Sequence, residues 1–500
     1  MPKHEVRPLV LLVVAGCTSL GACSLIVDRS HQCVVDDDCA VFEDHPVCRT
    51  GVCVSSGLGP RGCFFGAPKN QEDFANACTV AHTACIPFDN CKRLGICDKR
   101  FPDDLAMPNQ GTASSIVNMQ PTPTMPCAHP SRPNLIYATG STNLLPLLEA
   151  VAPILAENDP PYRVVYQPQS SCKGAGSMFE TDPSKRMIKD IPNNWAFFFD
   201  EAGQKNYCLL QPEGNFVDIG ESDVYANTCG YDPKPTEVGD YMGPIQAITF
   251  VVHAKSSQKA ISAEAAHILF GAGGRMGAVA PWDDPLFYFV RGSGTGTIQL
   301  TSRAIKVPAT GWWGIDRLSS DNLRDSLNAV APTGIEKAIG VLSSDFADKA
   351  RKNLRVLAFQ GVNQTCGYLP DSTQMSFDKE NVRDGHYPIW GPIHFYAALT
   401  NGVAPTQQAE ALIKLLSVPK LEKNLVDAVV TAGYIPACAM RVSREEEMGD
   451  MTSRPPDFGC GCYYEKVANG QPTPTCRPCS TSAQCTPERP SCNYGFCEVQ

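Results

Sequence analysis

The chain of 500 residues is 43% hydrophobic, carries a formal net charge of −10 and contains 24 cysteines. That length exceeds one ordinary domain and permits a sizeable buried core, while the acidic balance, with no basic stripe, argues against a nucleic-acid partner. It does not argue against a small-anion site, because distant surface charge is screened over about 10 Å.

Residues 1–22 read as an export signal: Lys3, His4 and Arg7 precede an apolar run at 9–15 that is too short to span a membrane. Two lipoprotein-like cleavage boxes follow, Val14-Ala15-Gly16-Cys17 and Leu20-Gly21-Ala22-Cys23. Position just after the apolar run favours Cys17. Parity favours Cys23, since losing Cys17 with the signal and acylating Cys23 leaves 24 − 2 = 22 cysteines, which can pair fully. A soluble secreted protein with neither cysteine acylated is the remaining alternative. No other run approaches the roughly 20 apolar residues of a membrane span, so contact with a membrane is expected through a lipid anchor only.

Residues 24–58 form a small cysteine-rich module with Cys33, Cys39, Cys48 and Cys53, echoed at 476–500 by Cys479, Cys485, Cys492 and Cys497. The segments VCRTGVC and SCNYGFC mark this as an internal repeat. A second cysteine-rich unit spans 59–100, with Cys63, Cys78, Cys85, Cys91 and Cys97. Metal binding is the rival reading, but CxxC pairs are nearly absent and an export signal leads to a compartment where disulfides persist, so disulfides are expected and no metal. Connectivity stays open at this point. Residues 101–132 have the Pro/Ser/Thr content of a linker, and 441–475 read as a second linker that carries cysteines.

Between them, 133–440 alternates strands with helices: strands at 135–138, 163–166, 216–219, 247–253 and 287–290, helices at 144–156, 263–270 and 297–304. The alternation indicates an α/β domain, whose ligands sit at the carboxyl ends of strands. Three of those ends are rich in glycine and hydroxyl residues: GSTN at 140–143, SSCKGAGS at 170–177 and RGSGTGT at 291–297. Glycines let backbone N–H groups approach a ligand, hydroxyls add donors, a helix start adds unpaired N–H groups, and Arg291 adds a planar cationic fork. Asp223, ending a fourth strand, is the odd carboxylate among these donors, and it suits an anion that carries a proton. The long stretch 178–216 reads as a surface insertion, with a lid as the alternative.

The segments GSTNLLP, YQPQSSCKGAGS, VDIGESDVYA, WDDP and RGSGTGT occur in the order and approximate spacing of the phosphate-binding receptors of bacterial ABC transporters. The resemblance covers roughly 133–440. It implies an α/β, two-lobed periplasmic binding-protein-like fold with a hinge, here flanked by small disulfide-rich modules, with chain crossings near 245 and 385. It implies ligand contacts from Ser141, Thr142, Ser171, Asp223, Arg291, Thr295, Gly296 and Thr297, with Arg291 in an exposed cleft. It further implies inorganic phosphate or a related oxyanion as ligand, an ABC permease as partner, and no cofactor. Two departures leave the identity of the anion open: Asn143 stands where the family often has an aromatic residue, and Ser293 where it often has an aspartate.

The function expected is therefore that of a lipid-anchored binding protein in a bacterial cell envelope, feeding an importer. The alternative is an outer-membrane or surface lipoprotein that uses the fold for scavenging, sensing or protein contact, which Ser24 after Cys23 favours by the usual sorting convention. No enzyme is expected, since no GxSxG, HExxH or histidine-plus-carboxylate motif appears. His253 and His267 read as surface or core histidines, and Trp312 and Trp313 as core.

Overall fold

A computed structural model describes residues 123–499 except 190–194, 275–278, 363, 365 and 454–456, together with 68, 70–77 and 86–96. Earlier in the chain it describes Val34, Asp38 and the backbone of two short strands, Val47–Arg49 and Val52–Val54. The expected export signal and both candidate acylation sites, Cys17 and Cys23, lie outside the described residues. Two compact units are present, residues 1–59 and 60–500. In the first unit the two strands pair antiparallel with Cys48 opposite Cys53. In the second, Ser491–Asn493 and Phe496–Glu498 pair with Cys492 opposite Cys497, so the repeated cysteine spacing corresponds to a repeated hairpin register.

The body of the second unit is an α/β structure on a twelve-stranded mixed sheet. Its elements, in chain order, begin with β1 (Leu135–Gly140), α1 (Leu145–Glu157), β2 (Arg163–Pro168), α2 (Ser171–Phe179), β3 (Trp195–Phe199), β4 (Lys205–Leu209) and β5 (Ile219–Ser222). After these come β6 (Val238–His253), α3 (Ala263–Ala272), β7 (Tyr288–Val290), α4 (Gly296–Ile305), β8 (Ile315–Asp316) and α5 (Ser320–Asn328). The set closes with β9 (Ile339–Ser343), α6 (Ser344–Lys349), β10 (Leu354–Val356), β11 (Trp390–Thr400) and the two-residue strand Ala404–Pro405, which pairs with β11.

Two lobes share this sheet. In the first, β1 runs parallel to β2 and β5; in the second, β7 runs parallel to β8 and β9. β6 joins them: its residues 238–247 pair antiparallel with β11, and 248–253 pair with β9 and β10. The crossings expected near 245 and 385 thus fall inside β6 and just before β11. β6 begins at Val238 rather than at 247, because Gly239, Gly243 and Pro244 look like turn residues in sequence. A bulge between Met242 and Ile245 takes up the Gly-Pro pair within the ladder.

The stretch 178–216 extends the sheet, with β3 added antiparallel to β2 and β4 to β3. Its edge is pinned by the disulfide Cys127–Cys208, and Cys127 is buried. Helix starts follow local chemistry: Ser170, Ser262 and Ser319 accept from backbone N–H groups in the first turns of α2, α3 and α5. The core continues across both lobes, with Phe250 stacked between Phe270 and Phe359 and with Trp312 and Trp313 buried.

The flanking segments pack on this body within the same unit. Asn90 donates to Glu264 at 3.0 Å and the Arg93 guanidinium lies over Phe88 and Trp282. Residues 441–475, read from composition as a linker, carry α7 (Gly461–Asn469), whose Cys462, Tyr463 and Tyr464 are buried. The reason is covalent and ionic: Cys438 bonds Cys460, and buried Glu465 accepts from Arg383 at 3.0 Å. Further disulfides join Cys172 to Cys229, Cys462 to Cys476, Cys479 to Cys492 and Cys485 to Cys497. The close sulfurs of Cys479, Cys485 and Cys497 therefore belong to two adjacent disulfides. Cys91 and Cys366 are also disulfide-bonded. Thiol labelling of the undenatured protein, read by peptide mapping, should modify none of these fourteen cysteines; labelling at several of them would overturn the pairing.

No helix among the described residues is long and apolar enough to cross a membrane.

Candidate functional site

Parallel strands of one direction end on one side, and here five ends converge between the lobes. β1 ends at Gly140 and delivers Ser141, Thr142 and Asn143; β2 leads to Ser171 at the start of α2; β5 delivers Asp223. From the other lobe β7 delivers Arg291 and the turn into α4, and β9 ends on Ser343. Ser320 joins them at the start of α5.

Ser171 is the meeting point of the two lobes. Its hydroxyl donates to Asp223 Oδ2 at 3.1 Å and accepts from the Gly296 N–H at 2.9 Å. The Cys172 N–H donates across the cleft to the Gly294 carbonyl at 3.1 Å. Only glycine fits at 296, where a Cβ would lie 2.4 Å from Asp223 Cβ. Arg291 Nη1 donates to Ser320 Oγ at 2.8 Å, Nη2 donates to the Leu318 carbonyl at 3.1 Å, and both nitrogens lie 3.4 Å from Thr142 Oγ1. Ser141 Oγ accepts from the Asn143 N–H at 3.1 Å. Thr297 Oγ1 accepts from Asn143 Nδ2 at 3.3 Å. Thr295 is set apart: its hydroxyl donates to Gly292 O, inside its own turn, at 2.7 Å. The expected residues other than Thr295 are therefore linked in one hydrogen-bond network, buried except at half-buried Thr142. Arg291, expected in an exposed cleft, is only 5% exposed, because the turn 317–320 and Thr142 close over it.

The loop at 170–177, read as a ligand-facing turn, is mostly helix. Within α2, Gly174 allows the helix to lie against β5, since a Cβ there would sit 1.8 Å from the Glu221 carbonyl oxygen. That glycine serves packing, and Ser171 alone of the run faces the other lobe's Gly296.

Three buried carboxylates and one guanidinium set the electrostatics. Burial raises Asp223 above the ordinary aspartate range against hydrogen bonds that lower it. Burial and the neighbouring Asp223 hold Glu221 well above the usual carboxylate range. Glu221 accepts from the Ser141 N–H at 2.6 Å and from the Tyr166 hydroxyl at 3.2 Å. Burial pushes Asp345 up to about 7 and Arg291 down to about 10. A raised carboxyl pKa favours the folded state at low pH and loses that contribution as pH climbs through the folded value. Asp345→Asn, which keeps an acceptor for Gln246 Nε2 at 3.1 Å, should therefore raise the melting temperature more at pH 8 than at pH 5. A shift of about 3 units corresponds to about 4 kcal/mol at most. Equal gains at both pH values would contradict a buried, titrating Asp345.

Sequence reasoning missed Glu221, Tyr166, Ser320, Ser343 and Tyr434, whose hydroxyl bonds the Asn143 carbonyl. One signal was available: the tetrapeptide LSSD occurs twice, at 318–321 and 342–345, each time between a strand and a helix. No local signal marks Tyr166 or Tyr434.

No family model and no curated protein matches the sequence. Solved structures do match. A protein named as a phosphate ABC transporter substrate-binding protein, with bound phosphate, from Clostridium perfringens is 15% identical over 61% of this chain and 100% of its own, with a TM-score of 0.42. An ABC-type phosphate transport receptor from Vibrio cholerae is 13% identical over 60% and 99%, with a TM-score of 0.39. An OxyR mutant from Corynebacterium glutamicum is 9% identical over 60% and 66%, with a TM-score of 0.33.

Proposed function

We propose that this chain is an extracytoplasmic, lipid-anchored receptor that takes up a protonated oxyanion, inorganic phosphate, between its two lobes. One observation carries the reading. Within this network buried Arg291 Nε has no hydrogen-bond partner, and buried Asp223 Oδ1 has none of regular geometry, with the Ser141 and Glu221 side chains as its near neighbours. One is an obligate donor on a cation and the other an acceptor on a carboxylate, and a buried polar atom of either kind without a partner is costly. A ligand that presents an anionic oxygen to the first and a hydroxyl to the second answers both, and mono- or dibasic phosphate has that pattern. Thr142 and Ser171 from one lobe and the Gly296 N–H and Thr297 from the other supply further donors, so the anion would hold the lobes together about β6 and β11.

Calorimetric titration of the full chain, freed of residual phosphate, against phosphate, arsenate and sulfate tests this. Binding of phosphate with at least roughly tenfold preference over sulfate is expected, about 1.4 kcal/mol; binding of none of the three would overturn it. Delivery to an ABC permease belongs to the same proposal. Ser24 after Cys23 favours a second reading, an outer-membrane lipoprotein that scavenges or senses the anion without a permease. Fractionation of the envelope separates the two, since a permease partner requires inner-membrane residence.

A further inference from the structure

The side chain of Asn143 has the hydrogen-bonding pattern of the ligand just proposed. It is buried in the middle of the network. Its Nδ2 donates to Asp223 Oδ2 at 3.0 Å and to Thr297 Oγ1 at 3.3 Å. Its Oδ1 accepts from Ser320 Oγ at 3.2 Å and from Ser343 Oγ at 3.3 Å. One carboxamide thus turns an acceptor oxygen toward hydroxyl donors and a polar hydrogen toward the carboxylate of Asp223, as a protonated oxyanion would. Asn143 and Asp223 stand on the first lobe, and Thr297, Ser320 and Ser343 on the second. The amide therefore bridges the cleft.

We propose that Asn143 is a latch: its carboxamide is an internal surrogate for the anion that holds the lobes together and must be displaced when phosphate enters. This deepens the function proposed above and rests on it for the identity of the competing ligand. A competing self-bound state lowers apparent affinity by the fraction of molecules that occupy it. Asn143 is then a determinant of affinity, acting against the ligand and not for it.

The test combines two readouts on the full chain and its Asn143→Ala variant, with Asn143→Ser as a second variant read in the same way should the alanine protein fail to fold. The first readout is calorimetric titration with inorganic phosphate. The second is hydrogen exchange, without phosphate, at the two backbone amides that cross the cleft, Cys172 N–H to Gly294 O and Gly296 N–H to Ser171 Oγ. Phosphate is expected to bind the variant at least tenfold more tightly than the parent, and the two cleft amides to exchange at least tenfold faster. Weaker phosphate binding in the variant would make Asn143 a direct donor to the anion and overturn the latch. Unchanged exchange at Cys172 and Gly296 would overturn it as well. Faster exchange with no phosphate binding by either protein would uphold the latch while removing phosphate as its competitor.

Discussion

Arg291→Ala should lose phosphate binding by at least about tenfold while the protein still folds. The guanidinium is the cation of the proposed site, and the one charge-assisted hydrogen bond that its free Nε can give the anion amounts to at least about 1.5 kcal/mol. Folding should survive because the strand and helix around it are anchored by other groups: Val290, Ile298 and Leu300 are buried and make no use of the charge. The variant should nonetheless melt earlier. Ser320 Oγ and the Leu318 carbonyl lose their donor, and each buried acceptor left alone costs about 1–3 kcal/mol. Arg291→Lys separates charge from shape, since an ammonium keeps the charge but lacks the fork; its affinity should fall between the two. Calorimetry on the three proteins decides, and an alanine variant that binds as well as the parent would move the site elsewhere.

Asp223→Asn should reduce the preference for phosphate over sulfate at least roughly tenfold. An ionised Asp223 needs a proton from the ligand; sulfate offers none, and two opposed acceptors in a buried place cost on the order of 1–3 kcal/mol. The asparagine amide reverses the polarity and donates where sulfate accepts. Acidification should act in the same direction in the parent protein. Burial raises the Asp223 pKa, so as pH falls the residue takes up its proton earlier than an exposed aspartate would. It then becomes a donor, and sulfate is no longer rejected. Competition titrations at several pH values measure this, and selectivity that is unaffected by both the substitution and the pH would exclude Asp223 from the anion's contacts.

The two readings of Asp223 and Asn143 bear on each other. Asn143 Nδ2 bonds Asp223 Oδ2, which also accepts from Ser171, and does not reach Oδ1. Displacement of the amide would leave the carboxylate with one donor fewer and freer to accept the ligand proton, so a protein lacking the amide should discriminate against sulfate at least as well as its parent does.

What the sequence by itself determined is local. A β-rich apolar run followed by glycine, serine or threonine and then a helical pattern can be read from neighbours in the chain, and β1, β2 and β7 lie where those runs are. The same loops supply Ser141, Thr142, Ser171 and Arg291, because a residue at a strand's carboxyl end is placed by the strand itself. Cysteine parity and the expected export signal called for disulfides, but not for their partners. The tertiary structure decided what depends on long-range register. Cys127 meets Cys208 across 81 positions because β3 and β4 were added to the edge of the sheet. The Gly174 that resembled part of a cradle became a packing contact once α2 lay on β5. Arg291, expected in an open cleft, became buried once the turn after β8 closed over it. Asn143 and Ser343 are 200 positions apart and touch because β6, bulged at Gly243 and Pro244, carries the sheet of one lobe into that of the other. No pattern within a dozen residues encodes that pairing; it follows from the ladder of β6 with β9 and β11, whose registers are set by which faces the whole core must bury.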